Sequence, residues 1–444
     1  MSRSRIVFAL AVVLLACVAV GWCWLRTGDP TSFASGTRVE LAAFKGANPT
    51  GVPASLAGAD VIARGEYLTR AADCAACHTA PGGKPFTGGL AFKLPMIGTL
   101  YSTNITPDAE TGIGAWSDDE FVRVMHKGIG KDGEYLYPAF PYTSYTLKTR
   151  DDTLAIKAYL FNLKPVKYTP PPNDISFPFN QRYLMAFWNA LFSPNHRFRP
   201  NVNQPPYWNR GAYLVEALGH CGDCHTPRNL LFGLKAHEKF AGAIVQGWKA
   251  YNITPDQDWG IGAWSESQLQ DYLSHGHADG RGSASGPMAE VIDNSLRFLS
   301  DADIQAMGTY LASVPAVGAA GAAAVRAPAK DKVAANTGGE PLGLRMFEGA
   351  CVGCHSIEGT GAVSSYATLV GSRSVNDPEG LNATQAILQG THVHTKLGKM
   401  FMPDFGNGYS DAEIAALVNY VTGEFGAGAS NLTPGEVAKR RQAN

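Results

Sequence analysis

Six of the eight cysteines stand in three Cys-x-x-Cys-His groups: Cys74/Cys77/His78, Cys221/Cys224/His225 and Cys351/Cys354/His355. Two thiols three residues apart lie along one side of a helical turn, and the histidine that follows is placed to hold a metal beside them. This is the pattern for joining both sulfurs to the vinyl groups of a haem and ligating its iron through imidazole. The competing chemistries are half of a zinc site or a thioredoxin-type redox pair. Zinc needs two such pairs to meet, and a redox pair belongs beside a βαβ pattern, which this chain lacks. Each pair here carries its own histidine in its own stretch of chain, so the expected cofactors are three covalently bound c-type haems. The other two cysteines, Cys17 and Cys23, fall in an N-terminal apolar run, which leaves none for a structural disulfide.

A sixth iron ligand is sought in register. Helical stretches end at Gly128, Gly276 and Gly390, and twelve residues beyond each lie Phe140, Met288 and Met402. Met288 and Met402 are therefore the expected thioether ligands, which stabilise ferrous iron and close it to substrates. Met400 misses the register by two. A phenyl ring cannot ligate iron, so for the first haem the candidates are Met125 or His126, then Met96, or an open site.

The elements that must position these groups form an internal repeat. Arg64-Gly65-Glu66-Tyr67-Leu68 precedes the first group and Arg210-Gly211-Ala212-Tyr213-Leu214 the second. Downstream, Asn104-Ile105-Thr106-Pro107 leads to Trp116, and Asn252-Ile253-Thr254-Pro255 to Trp264, at a spacing of 12 in both. Trp116 and Trp264 are read as packing against haem, and Asn104 and Asn252 as fixing turns. His220, His275, His277, His392 and His394 read as surface or loop histidines. Each unit runs helix, Cys-x-x-Cys-His, loop, helix, ligand loop, amphipathic helix. The expected class is all-α: three class-I-type cytochrome c domains in tandem at 55–169, 207–315 and 339–426. A proline-rich linker, 170–206, with an apolar helix-like stretch, and an Ala/Gly-rich linker, 316–338, separate them. A tail covers 427–444.

Composition bounds the rest. The chain has 444 residues, 45% of them hydrophobic and 17% charged, so it can build real cores. Its net charge of −1 gives no footprint for nucleic acid. Residues 6–25 are almost purely apolar and flanked by Arg3, Arg5 and Arg26, which marks segment 1–30 as a signal or membrane anchor. The run matches the ~20 residues a bilayer requires and ends on bulky Trp22-Cys23-Trp24, which favours an uncleaved anchor. No hydrolytic triad, phosphate loop or nicotinamide fingerprint is visible.

The three haem motifs stand together with Tyr101-Ser102-Thr103-Asn104-Ile105-Thr106-Pro107-Asp108, Gly112-Ile113-Gly114-Ala115-Trp116-Ser117, Leu136-Tyr137-Pro138-Ala139-Phe140-Pro141-Tyr142 and Met402-Pro403-Asp404-Phe405. With these, the chain resembles the trihaem cytochrome c subunits of membrane-bound bacterial dehydrogenases for alcohol, gluconate, fructose or aldehyde, and of related molybdenum hydroxylases. The resemblance spans roughly residues 55–425. In many such proteins the Tyr-Pro-Ala segment continues with Met, where this chain has Phe140. The resemblance implies a non-catalytic electron-transfer subunit at the periplasmic face of the inner membrane. Its partner would be a catalytic dehydrogenase subunit of flavin, quinoprotein or molybdenum type, and its acceptor a quinone or a terminal oxidase. The alternative is a stand-alone haem enzyme, a peroxidase or sulfur-compound oxidase, working at the first haem.

Overall fold

The computed structural model describes residues 28–94, 96–318 and 341–442. The apolar run at 6–25 and nearly all of the Ala/Gly-rich linker lie outside the described residues.

The first unit consists of α1 (Val61–Ala71), the motif helix α2 (Cys74–His78), the hairpin β1 (Ala91–Leu94) and β2 (Gly98–Tyr101), α3 (Asp118–Lys127), α4 (Tyr142–Tyr145) and α5 (Arg150–Asn162). The linker adds β3 (Asp174–Ile175), paired to β2, and α6 (Leu184–Phe192). The second unit repeats the plan with α7 (Pro206–Tyr213), α8 (Gly222–His225), hairpins β4 (Ala243–Val245) with β5 (Trp248–Ala250) and β6 (His277–Ala278) with β7 (Gly282–Ser283), and helices α9 (Glu266–His275), α10 (Pro287–Asn294) and α11 (Asp301–Leu311). The third unit holds α12 (Pro341–Ala350), α13 (Val352–His355), α14 (Arg373–Asn376), α15 (Leu381–Gln389), the hairpin β8 (Thr391–Thr395) and β9 (Gly398–Met402), α16 (Asp411–Phe425) and α17 (Pro434–Gln442).

The helix starts follow from local chemistry. Ser117, Ser265 and Ser410 form capping boxes with Glu120, Gln268 and Glu413, which satisfy the free N–H groups of α3, α9 and α16. In each unit the first helix crosses a later one, α5, α11 or α16, at a glycine. A Cβ on Gly65, Gly211 or Gly343 would strike the carbonyl oxygen of Ala155, Ala306 or Ala416 respectively. Only a residue without a side chain permits that approach.

The all-α expectation is corrected: the described residues include four small sheets alongside the helices. The loops between motif and ligand segments fold back as hairpins because their turn residues accept left-handed backbone. At β4–β5 the two turn residues, Gln246 and Gly247, have φ of 50° and 76°, the twist that suits a two-residue hairpin. Among the described residues no helix is long and apolar enough to cross a membrane, and the apolar run of the expected anchor lies outside them.

A second feature was hidden by the repeat itself. Arg64 stands 10 residues before Cys74, whereas Arg210 stands 11 before Cys221. The extra residue is absorbed as a π-turn over Leu214–Leu218, closed by Gly219 N–H donating to Leu214 O at 2.7 Å.

The first two units share one continuous apolar core, and the third has its own. They are joined reciprocally. The Tyr67 hydroxyl donates to Asp303 Oδ2 at 2.6 Å, and the Tyr213 hydroxyl donates to Asp152 Oδ2 at 2.6 Å. Each tyrosine sits three residues after the repeat arginine, and each aspartate three residues after an N-cap, Ser300 or Thr149. Each hydroxyl also accepts the N–H of that N-cap residue, at 3.1 and 3.4 Å. The duplicated sequences thus clasp each other about a local twofold relation.

Candidate haem sites

In all three motifs the histidine ring is held the same way. Nδ1 of His78 lies 2.6 Å from Thr103 O, that of His225 2.6 Å from Tyr251 O, and that of His355 2.6 Å from Ala367 O. With Nδ1–H donating to a carbonyl, the Nε2 lone pair is the one left for a metal, and the ring plane is fixed. Burial lowers the pKa of all three rings, so at neutral pH they carry the uncharged form that ligates. The donor set fits haem iron.

The thiols fit the same reading. All six motif cysteines are unpaired. Burial pushes Cys74 and Cys351 up to about 11 and Cys221 and Cys224 up to about 12, and Cys77 also rises. A thioredoxin-type pair needs a depressed thiol, and a zinc site needs grouped donors. Among the described residues no cluster of three His, Cys, Asp or Glu side chains could hold such an ion.

The six motif cysteines differ in exposure. Cys354 is exposed, whereas Cys74, Cys77, Cys221, Cys224 and Cys351 are half-buried. The reason is packing. The first two motifs face each other across the shared core, while in the third unit the separate core reaches Cys351 and not Cys354. Exposure leaves a thiol free to meet a vinyl group, so Cys354 keeps its place in the attachment pattern but at a more open edge of the site.

The candidate sixth ligands separate by position. Met288 sits in the first turn of α10, half-buried against the core of the first two units. Met402, at the end of β9, packs against the core of the third unit. Met400, two residues before it, packs against the other core, that of the first two units. Phe140 is half-buried with its ring 5.6 Å from that of Tyr145. Met125 is buried on the core face of α3 beside Phe121 and Val124. The His126 ring is buried too, but its Nε2 lies 3.2 Å from Thr153 Oγ1. Burial, with Arg197, Lys148 and other nearby cations, lowers that ring to about 3. Met96, at the β1–β2 turn, is 92% exposed.

Asn104 and Asn252 fix turns. Each side-chain oxygen accepts from the threonine two residues on, and each amide donates to the chain leaving the unit's last helix, at Val166 O (2.8 Å) or Val317 O (2.6 Å).

Three functional neighbours were not anticipated. His220, read as a surface histidine, lies between the first two motifs with its ring 5.5 Å from that of Tyr145. It occupies the same left-handed position before the first cysteine as Asp73, with φ of 37° and 51°. Lys148 is fully buried near Cys74, its Nζ 3.7 Å above the Tyr145 ring, and burial lowers it to about 7. Arg373 of the third unit reaches behind the second motif. Its guanidinium stacks 4.6 Å from the Tyr251 ring centroid and donates to Asn252 O at 3.2 Å and to Trp259 O. A single exposed-looking Lys or Arg carries no periodic signal. Only the duplicated Asp73/His220 position was legible, as the residue preceding each motif.

The first two motifs are themselves neighbours. Cys74 and Cys221 both pack against the shared core, and Ser144 Oγ donates to Asp223 Oδ2, within the second motif, at 3.2 Å.

Comparison with known proteins agrees with this chemistry. A cytochrome c family model matches residues 342–423. The chain is 37% identical to the gluconate 2-dehydrogenase cytochrome c subunit of Pantoea cypripedii, over 86% of this chain and 90% of that one. It is 36% identical to the fructose dehydrogenase cytochrome subunit of Gluconobacter japonicus, over 89% and 85%. It is also 41% identical to a nicotinate dehydrogenase subunit of Pseudomonas putida over 83% of its own length, but spans only 31% of that larger relative. The cofactor is accordingly covalently bound c-type haem, and the partner a catalytic dehydrogenase. The chain belongs to the family of cytochrome c subunits of bacterial dehydrogenase complexes.

Proposed function

We propose that the chain carries three haems and conducts electrons from a dehydrogenase subunit to a quinone or terminal oxidase at the periplasmic face of the inner membrane. The observation that carries this reading is the threefold repetition of a neutral imidazole whose Nδ1 is tied to a carbonyl at 2.6 Å beside two unpaired thiols. Bound haem supplies one-electron redox chemistry. The protein fixes the imidazoles, excludes water through the two cores and brings the attachment motifs close. We assign Met288 and Met402 as sixth ligands of the second and third haems. For the first we assign Met125, because the neighbouring His126 nitrogen is committed to Thr153.

In this reading oxidation of the substrate belongs to the partner, as the relatives' names as cytochrome subunits of dehydrogenases support. The relatives serve gluconate, fructose, alcohol and nicotinate dehydrogenases. The partner substrate of this chain falls in the same range of small polar metabolites.

Haem stoichiometry tests the reading. Pyridine haemochrome assay of the matured protein should give three haems per chain, and replacing either the first, second or third cysteine pair by alanine should each remove one. A value of one haem in the unaltered protein overturns it. The stand-alone enzyme reading rests on Phe140 in the ligand register. A high-spin ferric signal from the first haem would support that alternative.

A further inference from the structure

The proline-rich linker builds a surface that electron transfer does not use. Helix α6, Leu-Met-Ala-Phe-Trp-Asn-Ala-Leu-Phe, is held on its inner side: Phe192 is buried, Asn189 Oδ1 accepts from the Tyr142 hydroxyl at 2.7 Å, and Trp188 Nε1–H donates to Leu231 O at 2.8 Å. Its outer side carries Phe187, 71% exposed. The turn tied to it by Trp188 presents Leu230, 99% exposed, with Leu231 and Phe232 also exposed. That turn is rigid, since Asn229 Oδ1 accepts from both Leu231 N and Gly233 N. Phe179 meets Phe232 edge-on at 6.4 Å between ring centroids, and Phe177, 78% exposed, extends the patch. Large apolar side chains held outward on fixed backbone need an apolar counterpart.

We propose that this patch inserts into the lipid interface of the membrane, which gives the proposed membrane-face location a specific contact and rests on that reading. Three observations select lipid over a protein partner. First, the most exposed side chains stand at turn tips and on the outer side of α6. Such a shape suits a soft acyl medium, whereas a protein interface needs a matching solid surface. Second, the patch carries no carboxylate. Segments 175–192 and 226–235 contain no Asp or Glu; Arg228 and Lys235 pair with Asp223 and Glu238 just outside them, and Arg182 stands beside the apolar tips. Tyr183 and Trp188, each with an apolar body and a polar end, stand among them. Apolar tips, amphipathic aromatics and no carboxylate are the composition of an interfacial element. Third, the chain enters nearby. Pro30 O accepts from Lys239 Nζ at 2.8 Å, four residues beyond the 226–235 segment. The segment leading into residue 29 includes the apolar run at 6–25.

The test is photolabelling of the haem-loaded full chain in vesicles of phosphatidylcholine and phosphatidylglycerol bearing a diazirine on the acyl chain, followed by peptide mapping. The same mapping, with protein cross-links scored, is run on the dehydrogenase complex in native membranes. Lipid adducts on 177–187 and 230–232, several-fold above those on the equally prominent Leu397 turn of the third unit and lost in a Phe187→Ser/Leu230→Ser variant of unchanged haem content, are expected. Adducts confined to residues 6–25 overturn the patch and leave the membrane location standing. Cross-links from Phe187 or Leu230 to another polypeptide overturn it in favour of a protein contact. Absence of adducts anywhere overturns both the patch and the membrane reading.

Discussion

The reciprocal clasp between the first two units makes an unequal pair of mutations out of two equivalent tyrosines. Tyr213 is fully buried, and its hydroxyl donates to the buried Asp152 carboxylate at 2.6 Å. The same oxygen otherwise receives only Gly51 N–H, at 2.9 Å. Tyr213→Phe therefore leaves a buried carboxylate with a single remaining neutral donor on that oxygen. A hydrogen bond to a charged group is worth about 1.5–3 kcal/mol, and loss from a poorly compensated site falls at the upper end, about 3 kcal/mol. Tyr67→Phe removes the equivalent bond to Asp303, but that carboxylate keeps two N–H groups of Arg210, at 2.8 and 2.7 Å. Its cost falls at the lower end, about 1.5 kcal/mol. At about 2–4 °C per kcal/mol for a core of this size, the two substitutions should lower the unfolding midpoint by about 6–12 °C and 3–6 °C respectively. Far-UV circular dichroism of the haem-loaded protein, followed through the transition of the shared core, reads both. A Tyr67→Phe cost equal to or larger than that of Tyr213→Phe, or two costs below about 0.5 kcal/mol, would refute the reasoning.

The same phenols set an alkaline limit. Burial and the facing aspartates raise Tyr67 and Tyr213, so the folded chain holds these protons more tightly than the unfolded one. Their contribution is complete below the unfolded value of about 10 and is lost as pH climbs from there towards the folded one. Denaturant titrations above pH ~10 should show an alkaline slope shallower by one proton, about 1.4 kcal/mol per pH unit, in Tyr213→Phe. Arg373→Met removes a cation from behind His225, whose Nδ1 bonds the carbonyl of the tyrosine on which Arg373 stacks. Spectroelectrochemical titration should find one midpoint lowered and two unmoved, and a uniform shift of all three would count against it. For the first haem, near-infrared magnetic circular dichroism should lose one His/Met signature in Met125→Leu and none in His126→Gln, and the reverse result would reassign the ligand.

What could be read from the chain was whatever repeats or obeys a fixed spacing. The motif cysteines and histidines, the Asn-Thr turns and the serine N-caps act through neighbours a few residues away, so their chemistry is visible in one stretch of sequence. The hairpins were not read because their strands are two to five residues long and hold no sustained alternation. The β6–β7 pair, for instance, has two residues per strand. Lys148 and Arg373 escaped for another reason. Their roles depend on a burial and an inter-unit approach that no local pattern encodes. The exposure of Cys354 escaped in the same way, since identical spacing in three motifs says nothing of what packs over each. Tyr67 and Tyr213 lie between. Their place in the repeat was plain, but an internal duplication predicts similar units and is silent on whether they pack as separate beads or clasp one another.

That distinction bears on how electrons could pass. Separate beads on linkers would make transfer between centres wait on diffusion of one unit against another. Here the two duplicated units are locked by a common core and paired Tyr–Asp bonds, which holds their two attachment motifs in a fixed relation. The third unit is joined differently, from one side. Strand β8 buries Val393 in the core of the first two units, the Tyr366 hydroxyl donates to His275 O at 2.7 Å, and Lys249 meets Asp377 at 3.1 Å. The two polar contacts both fall on the second unit rather than the first. In the three-haem reading proposed above, this attachment places the second site between the other two, through the side that also carries Arg373. A centre in the middle of a relay must exchange electrons in both directions. In that reading Arg373, contributed by the third unit and stacked on the tyrosine whose carbonyl holds His225, would bias the potential of the middle centre through the same packing that sets the order.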